Sequence, residues 1–125
     1  MSANNKKQFG VWLDSHHATI VGKKDVEKGD LIILGHIKYE DNTHHSNENA
    51  AHNAEITHLH KFFKEITTHM QNAEELHITG TGVAQEQFKK YLSETPQFKN
   101  TVSKDTTTNK MNDDKLIKFF ENQFN

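Results

Sequence analysis

The sequence predicts an α/β domain, and three observations carry the prediction. Short apolar runs bounded by turn residues fill the segment up to Ile37, and from Ala51 the apolar period changes from that of a strand to that of a helix. The stretch Glu74–Leu92, EELHITGTGVAQEQFKKYL, then reads as strand, glycine corner and helix. With 125 residues and one proline, the chain is long enough for one domain with a modest core.

Gln8–Leu13 (QFGVWL) and His17–Gly22 (HATIVG) are separated only by Asp14-Ser15-His16, which makes them a hairpin. Gly29-Asp30 signals a turn, and Leu31–Ile37 (LIILGHI) supplies a third strand in an antiparallel meander. Lys38–Asn49 is polar, lacks periodicity and reads as an exposed loop; with a polar tail over residues 1–7, it bounds a single domain over 8–125, with residues 38–50 exposed. Ile56, Leu59, Phe63, Ile66 and Met70 recur at alternating spacings of 3 and 4, a stripe along a helix of about five turns. Leu76-His77-Ile78-Thr79 is too short for a buried helix and fits a strand, after which Val83, Ala84, Phe88 and Leu92 fall at helical spacing. Thr95-Pro96 ends that helix, because proline disfavours helical geometry in the residue before it. Thr101–Thr107, rich in β-branched residues, reads as a fifth strand. Asn112 is placed to cap a last helix whose first turn holds Asp113 and Asp114, with Leu116, Ile117, Phe120 and Phe124 on its inner face.

The element order is βββαβαβα. A right-handed crossover lays the fourth strand beside the first and parallel to it, and the next crossover adds the fifth outside. The result is a three-layer α/β fold with a five-stranded mixed sheet of order 3-2-1-4-5 and strand 2 antiparallel, the ribonuclease-H-like arrangement. Its switch point brings Asp14-Ser15-His16 and Thr79-Gly80-Thr81-Gly82 to one edge, with Asp105 nearby.

Composition narrows the function. All 15 basic residues are lysine, so the side chain best suited to bidentate contacts with phosphate or guanine is missing and DNA sequence reading is not expected. A formal net charge of −2 argues against a general polyanion binder, although ten histidines would make the chain cationic under mild acid; any nucleic-acid contact is expected to be local, where Lys89, Lys90, Lys99, Lys104, Lys110, Lys115 and Lys118 cluster in the sequence. The lack of cysteine excludes a disulfide framework and zinc-thiolate sites. Met1–Gln8 has no apolar targeting core and no run approaches membrane-spanning length, so a cytoplasmic protein without a membrane partner is expected. The composition is also compatible with a homo-oligomer.

Thr79, Gly80, Thr81 and Gly82 form a candidate anion-binding turn, since a helix start after a strand presents unpaired N–H groups. The turn is shorter than a dinucleotide fingerprint and lacks the Gly-Lys-Ser/Thr ending of a nucleotide loop, and no cofactor is expected.

The opening VWLDSHHATI, the middle LHITGTGVAQEQFKKYL and the ending KDTTTNKMNDDKLIKFFENQF resemble the central domain of the eukaryotic and archaeal class I peptide-release-factor and Pelota family, above all its short bacterial single-domain relatives. The resemblance spans roughly residues 8–124 and rests on apolar and glycine patterns. It implies association with the ribosome on terminated, stalled or idle particles. In release factors of this family a Gly-Gly-Gln tripeptide between the third strand and the long helix assists hydrolysis of the peptidyl ester. Here the corresponding region is Tyr39–Asn53, and no glycine occurs from His36 to Thr79, so that chemistry is excluded and a non-catalytic binding module is expected. Asn42, His44, His45, Ser46 and Asn47 stand where the catalytic tip would be and become the candidate contacts with ribosomal RNA or protein, together with Lys89 and Lys90.

Two other readings compete. A ribonuclease-H-like nuclease would hold divalent metals on Asp14, Asp105 and Glu48 or Glu55, yet the fourth strand ends in Thr79 where an aspartate would serve, and Asp14 suits a turn equally well. Histidine-based metal binding would draw on His16-His17, His44-His45 or the His52–His60 row, but His58 and His60 are two apart and diverge on a helix. Trp12, Phe62, Phe63, Phe119 and Phe120 read as core and not as a base-stacking platform.

Overall fold

Apolar residues alternate between two faces of one sheet, and each face is covered by helices with a matching stripe. A computed structural model describes residues 7–23, 31–39 and 59–124. Its strands are β1 Gln8–Leu13, β2 His17–Lys23, β3 Leu31–Lys38, β4 Glu75–Gly80 and β5 Val102–Asp105. Residues 59–68 are helical (α1), followed later by α2 Gly82–Ser93, a 3₁₀ turn Pro96–Phe98 and α3 Asp113–Phe124. The sheet order is β3-β2-β1-β4-β5; β2 is antiparallel to both neighbours, while β1, β4 and β5 run parallel. The expected α/β fold and topology are therefore observed.

Val11, Leu13, Ala18, Ile20, Leu76 and Ile78 pack on one face against Phe62, Phe63 and Ile66 of α1 and Ala84, Phe88 and Leu92 of α2. The other face carries Trp12, Val21 and Leu31 against Leu116 and Phe120 of α3. Trp12, Phe62, Phe63 and Phe120 are all buried, as their periodic spacing implies, and Phe119 is half-buried. Met70 is fully buried just beyond the end of α1, and Asn72 turns the chain toward β4 with a left-handed φ of 62°. Ile56 and the tail over residues 1–6 lie outside the described residues, as does all of the 38–50 loop beyond Lys38 and Tyr39; Lys38 itself ends β3.

One irregularity re-aims side chains on β3. Ile20 pairs with Gly35 and Val21 with Ile33, which leaves Leu34 as an extra residue and forms a β-bulge. Leu31 and Ile33 consequently face α3, whereas Ile37 joins the opposite cluster. Strict alternation over LIILGHI would have put all three on one face. The bulge also turns His36 toward α3, where its Nε2 lies 3.0 Å from Asp113 Oδ2.

The helix ends follow local chemistry. Asn112 Oδ1 accepts the Lys115 N–H at 2.9 Å, and Asp113 and Asp114 occupy the first turn of α3, the sign favoured by the helix dipole. Thr95 is extended before Pro96, which opens the 3₁₀ turn.

Candidate functional site

The carboxyl ends of β1 and β4 meet where the topology requires. Leu13 is in register with Gly80, and the Thr81 N–H donates to the Leu13 carbonyl at 3.2 Å. Gly80 has a φ of 143°, and a Cβ there would run into that same carbonyl oxygen, so the corner demands glycine. Asp14 closes the β1–β2 hairpin: its Oδ1 accepts the His16 N–H at 2.8 Å and the His17 N–H at 2.6 Å, an Asx-type turn. Asp105 ends β5 in register with Ile78, and its Oδ1 lies 3.3 Å from Lys89 Nζ. The Asp14 hairpin and the glycine corner thus sit at one edge.

The four residues of the candidate anion-binding turn do not share one environment. Thr79 is fully buried, and its hydroxyl is committed at 2.9 Å to Thr106 and at 2.8 Å to Thr108. The Gly80 carbonyl accepts the Thr108 N–H at 3.0 Å. Thr81 and Gly82 are exposed, and the Thr81 hydroxyl makes no bond across the start of α2. Thr79 therefore faces the α3 side of the sheet and pins the segment after β5 instead of facing solvent with Thr81.

That inward side holds a polar chain that the sequence did not single out. His77 Nε2 lies 2.9 Å from Thr106 Oγ1; because Thr106 donates its hydroxyl proton to Thr79, the proton of His77 sits on Nε2. The imidazole is 2% exposed and is edged by Phe119 and Phe120, with ring centroids 5.6 and 5.8 Å away. Burial, reinforced by the Lys104 charge and opposed by Asp105, holds its pKa below the ordinary 6.5.

A cleft opens beside this chain, between the sheet edge and the start of α3. Register places Trp12, Thr19 and His36 in one row across β1, β2 and β3. Thr19 Oγ1 is 3.2 Å from His36 Nδ1, and Asp113 holds the other ring nitrogen. His17 and Lys38, paired two residues further along the same face, join Lys110 and Met111 in lining a cavity of about 240 Å³. Trp12 lies at its floor, 3% exposed, and its indole N–H is sealed from water with no acceptor among the described residues. An unsatisfied buried donor of this kind costs about 1–3 kcal/mol.

Lys89 and Lys90 diverge. Lys89 borders a cleft of about 400 Å³ with Lys99, Thr101 and Ser103, while Lys90 lies with His60 and Tyr91 on the α1 side of α2. Lys104 faces His77, and Lys110 borders the Trp12 cleft. Lysines that are close in sequence therefore serve several surfaces. Asn42, His44, His45, Ser46 and Asn47 lie outside the described residues, as do Glu48, Glu55, His52 and His58. The carboxylates at the edge are otherwise engaged, Asp14 by its turn and Asp105 by Lys89, and among the described residues no three His, Asp or Glu side chains are grouped to hold a metal ion. Nor is any described helix long and apolar enough to cross a membrane.

No protein-family model matches the chain, and no curated protein sequence does. Solved structures do. The Pelota protein of Thermoplasma acidophilum superposes with a TM-score of 0.60 at 15% identity, covering 93% of this chain and 32% of its own length. Archaeoglobus fulgidus Pelota gives 0.59 at 15% identity, covering 97% of this chain and 32% of its own. The archaeal translation termination factor aRF1 gives 0.52 at 12% identity, covering 88% and 32%. The chain spans about a third of the length of the structures it matches. What it shares with the two Pelota proteins and the archaeal termination factor is the fold, which is the fold that the sequence resemblance implied.

Proposed function

We propose that this chain is a ribosome-associated accessory protein that binds ribosomal RNA or ribosomal protein on idle or stalled particles and performs no catalysis. The observation that carries the reading is a structural likeness extending over 93–97% of the chain to two Pelota proteins, with a translation termination factor showing the same fold. The sequence supports the non-catalytic half, since no glycine stands between His36 and Thr79 to present a hydrolytic glutamine.

The contacts we assign are Asn42, His44, His45, Ser46 and Asn47, with Lys90 and Lys89 on α2. Asparagine and serine hydrogen-bond phosphates and base edges, and lysine neutralises phosphate. Lys89 is available despite Asp105, because an ion pair between such partly exposed groups is worth little and phosphate competes for it. With lysine as the only strongly cationic side chain and a net charge of −2, binding is local and weakens with salt.

Pelleting purified ribosomes through a sucrose cushion with the purified chain tests the proposal. The chain is expected in the pellet at low salt, and replacing His44, His45 and Asn47 by alanine should deplete it there. A chain left wholly in the supernatant at low salt would refute ribosome binding.

A further inference from the structure

The cleft over Trp12 belongs neither to the proposed ribosome contacts nor to the glycine corner, and its chemistry is specific. Its floor and walls are apolar: the indole of Trp12, Met111 and Leu116. Two exposed lysines line it, Lys38 from the end of β3 and Lys110 from the segment before α3. His17 adds a further polar group, while the Thr19 hydroxyl is engaged by His36 Nδ1 at 3.2 Å and Asp113, the one carboxylate of the lining, by His36 Nε2 at 3.0 Å. The buried indole N–H is a donor for which the described protein supplies no acceptor.

We infer that this cleft binds an organic monophosphate with a flat, unsaturated body, of nucleoside-monophosphate size. A planar body fills the slot beside Trp12 and Met111 and brings ring or carbonyl acceptors to the floor, while the phosphate reaches Lys38 and Lys110 at the rim. The cavity of about 240 Å³ lies below the usual range for small-ligand sites, so it takes the planar body while the phosphate stays outside, over the rim. The indole N–H is sealed from water, so pairing it requires the side chains over it to move. The same chemistry is offered by a free mononucleotide and by a 5′-phosphorylated end of RNA. The inference stands whether or not the chain binds ribosomes.

Trp12 is the only tryptophan, so one indole N–H cross-peak in a ¹H–¹⁵N spectrum reports on the floor without ambiguity. The chain is titrated with the four common nucleoside 5′-monophosphates, with the corresponding nucleosides, with inorganic phosphate and with a short 5′-phosphorylated RNA. A saturable shift of the Trp12 peak with at least one monophosphate is expected, with weaker binding of its nucleoside and of phosphate alone. Tighter binding of the RNA would identify its 5′ end as the source, and tighter binding of the mononucleotide would identify the free compound; either agrees with the inference. The Lys38→Ala/Lys110→Ala variant should bind about tenfold or more weakly, as loss of charge-assisted contacts to phosphate requires. Calorimetry on Trp12→Phe should show several-fold weaker binding with the far-UV spectrum retained; should that variant not fold, the lysine variant decides. No shift with any monophosphate, a shift matched by inorganic phosphate alone, or an unchanged affinity in the lysine variant would overturn the inference.

Discussion

Phe120 of α3 lies directly over Gly10 of β1: a Cβ at position 10 would sit 2.5 Å from the Phe120 ring. Glycine in mid-strand is ordinarily a weakness, but here it lets a fully buried aromatic ring seat against the sheet backbone. Gly10→Ala should therefore destabilise by about 1–3 kcal/mol through overpacking, and Phe120→Ala by about 3–5 kcal/mol through the cavity it leaves. The clash cannot occur once the ring is gone, so the double variant should lose less than the sum. Urea unfolding of the three variants measures this, and strict additivity would show that the two residues do not touch.

His77 makes stability depend on pH. Its folded pKa lies below the ordinary 6.5, so as pH falls through 6.5 the unfolded chain takes up a proton that the folded chain resists. The contribution is absent well above 6.5; stability is lost as pH falls from 6.5 to the folded pKa and levels off below it. Unfolding curves between about pH 7.5 and 5 should show that decline. A His77→Gln variant, which keeps a donor toward Thr106, should show a shallower slope. An NMR titration of His77 with a midpoint at or above 6.5 would contradict the assignment.

Asp14 distinguishes a turn residue from a metal ligand. Asp14→Asn retains an oxygen acceptor for the His16 and His17 N–H groups and should leave stability within about 0.5 kcal/mol. Asp14→Ala removes it, and loss of such a side-chain to backbone cap costs about 0.5–2 kcal/mol. Thermal melts with and without magnesium or manganese check both points. Stabilisation by either ion that vanishes in Asp14→Asn would favour the nuclease reading.

The strands, the sheet order and the α3 cap were legible because each rests on local chemistry: turn residues at strand ends, apolar period, and Asn112 ahead of two aspartates. The convergence of the Asp14 hairpin with the glycine corner followed from topology alone. The facing of individual side chains was not legible. Leu34 shifts the register of β3 by one residue, and no composition signal marks which residue of LIIL is the extra one. The Trp12 cleft was invisible for the same reason, since Trp12, Thr19 and His36 become neighbours only through registry across three strands. Thr79 reads as a corner residue beside Gly80, but period 2 along β4 sends it inward with His77. Lysine spacing likewise says nothing of surface: Lys89 and Lys90 are adjacent and border different clefts.

Whether a module with this fold and no Gly-Gly-Gln segment works on ribosomes is decided by sedimenting lysates of growing and of starved cells through sucrose gradients at modest salt and following the chain by antibody. It should travel with ribosomal particles, more so after starvation, and move to the top of the gradient when salt is raised. A chain that stays at the top in both lysates at modest salt does not associate with ribosomes, and the proposed function fails.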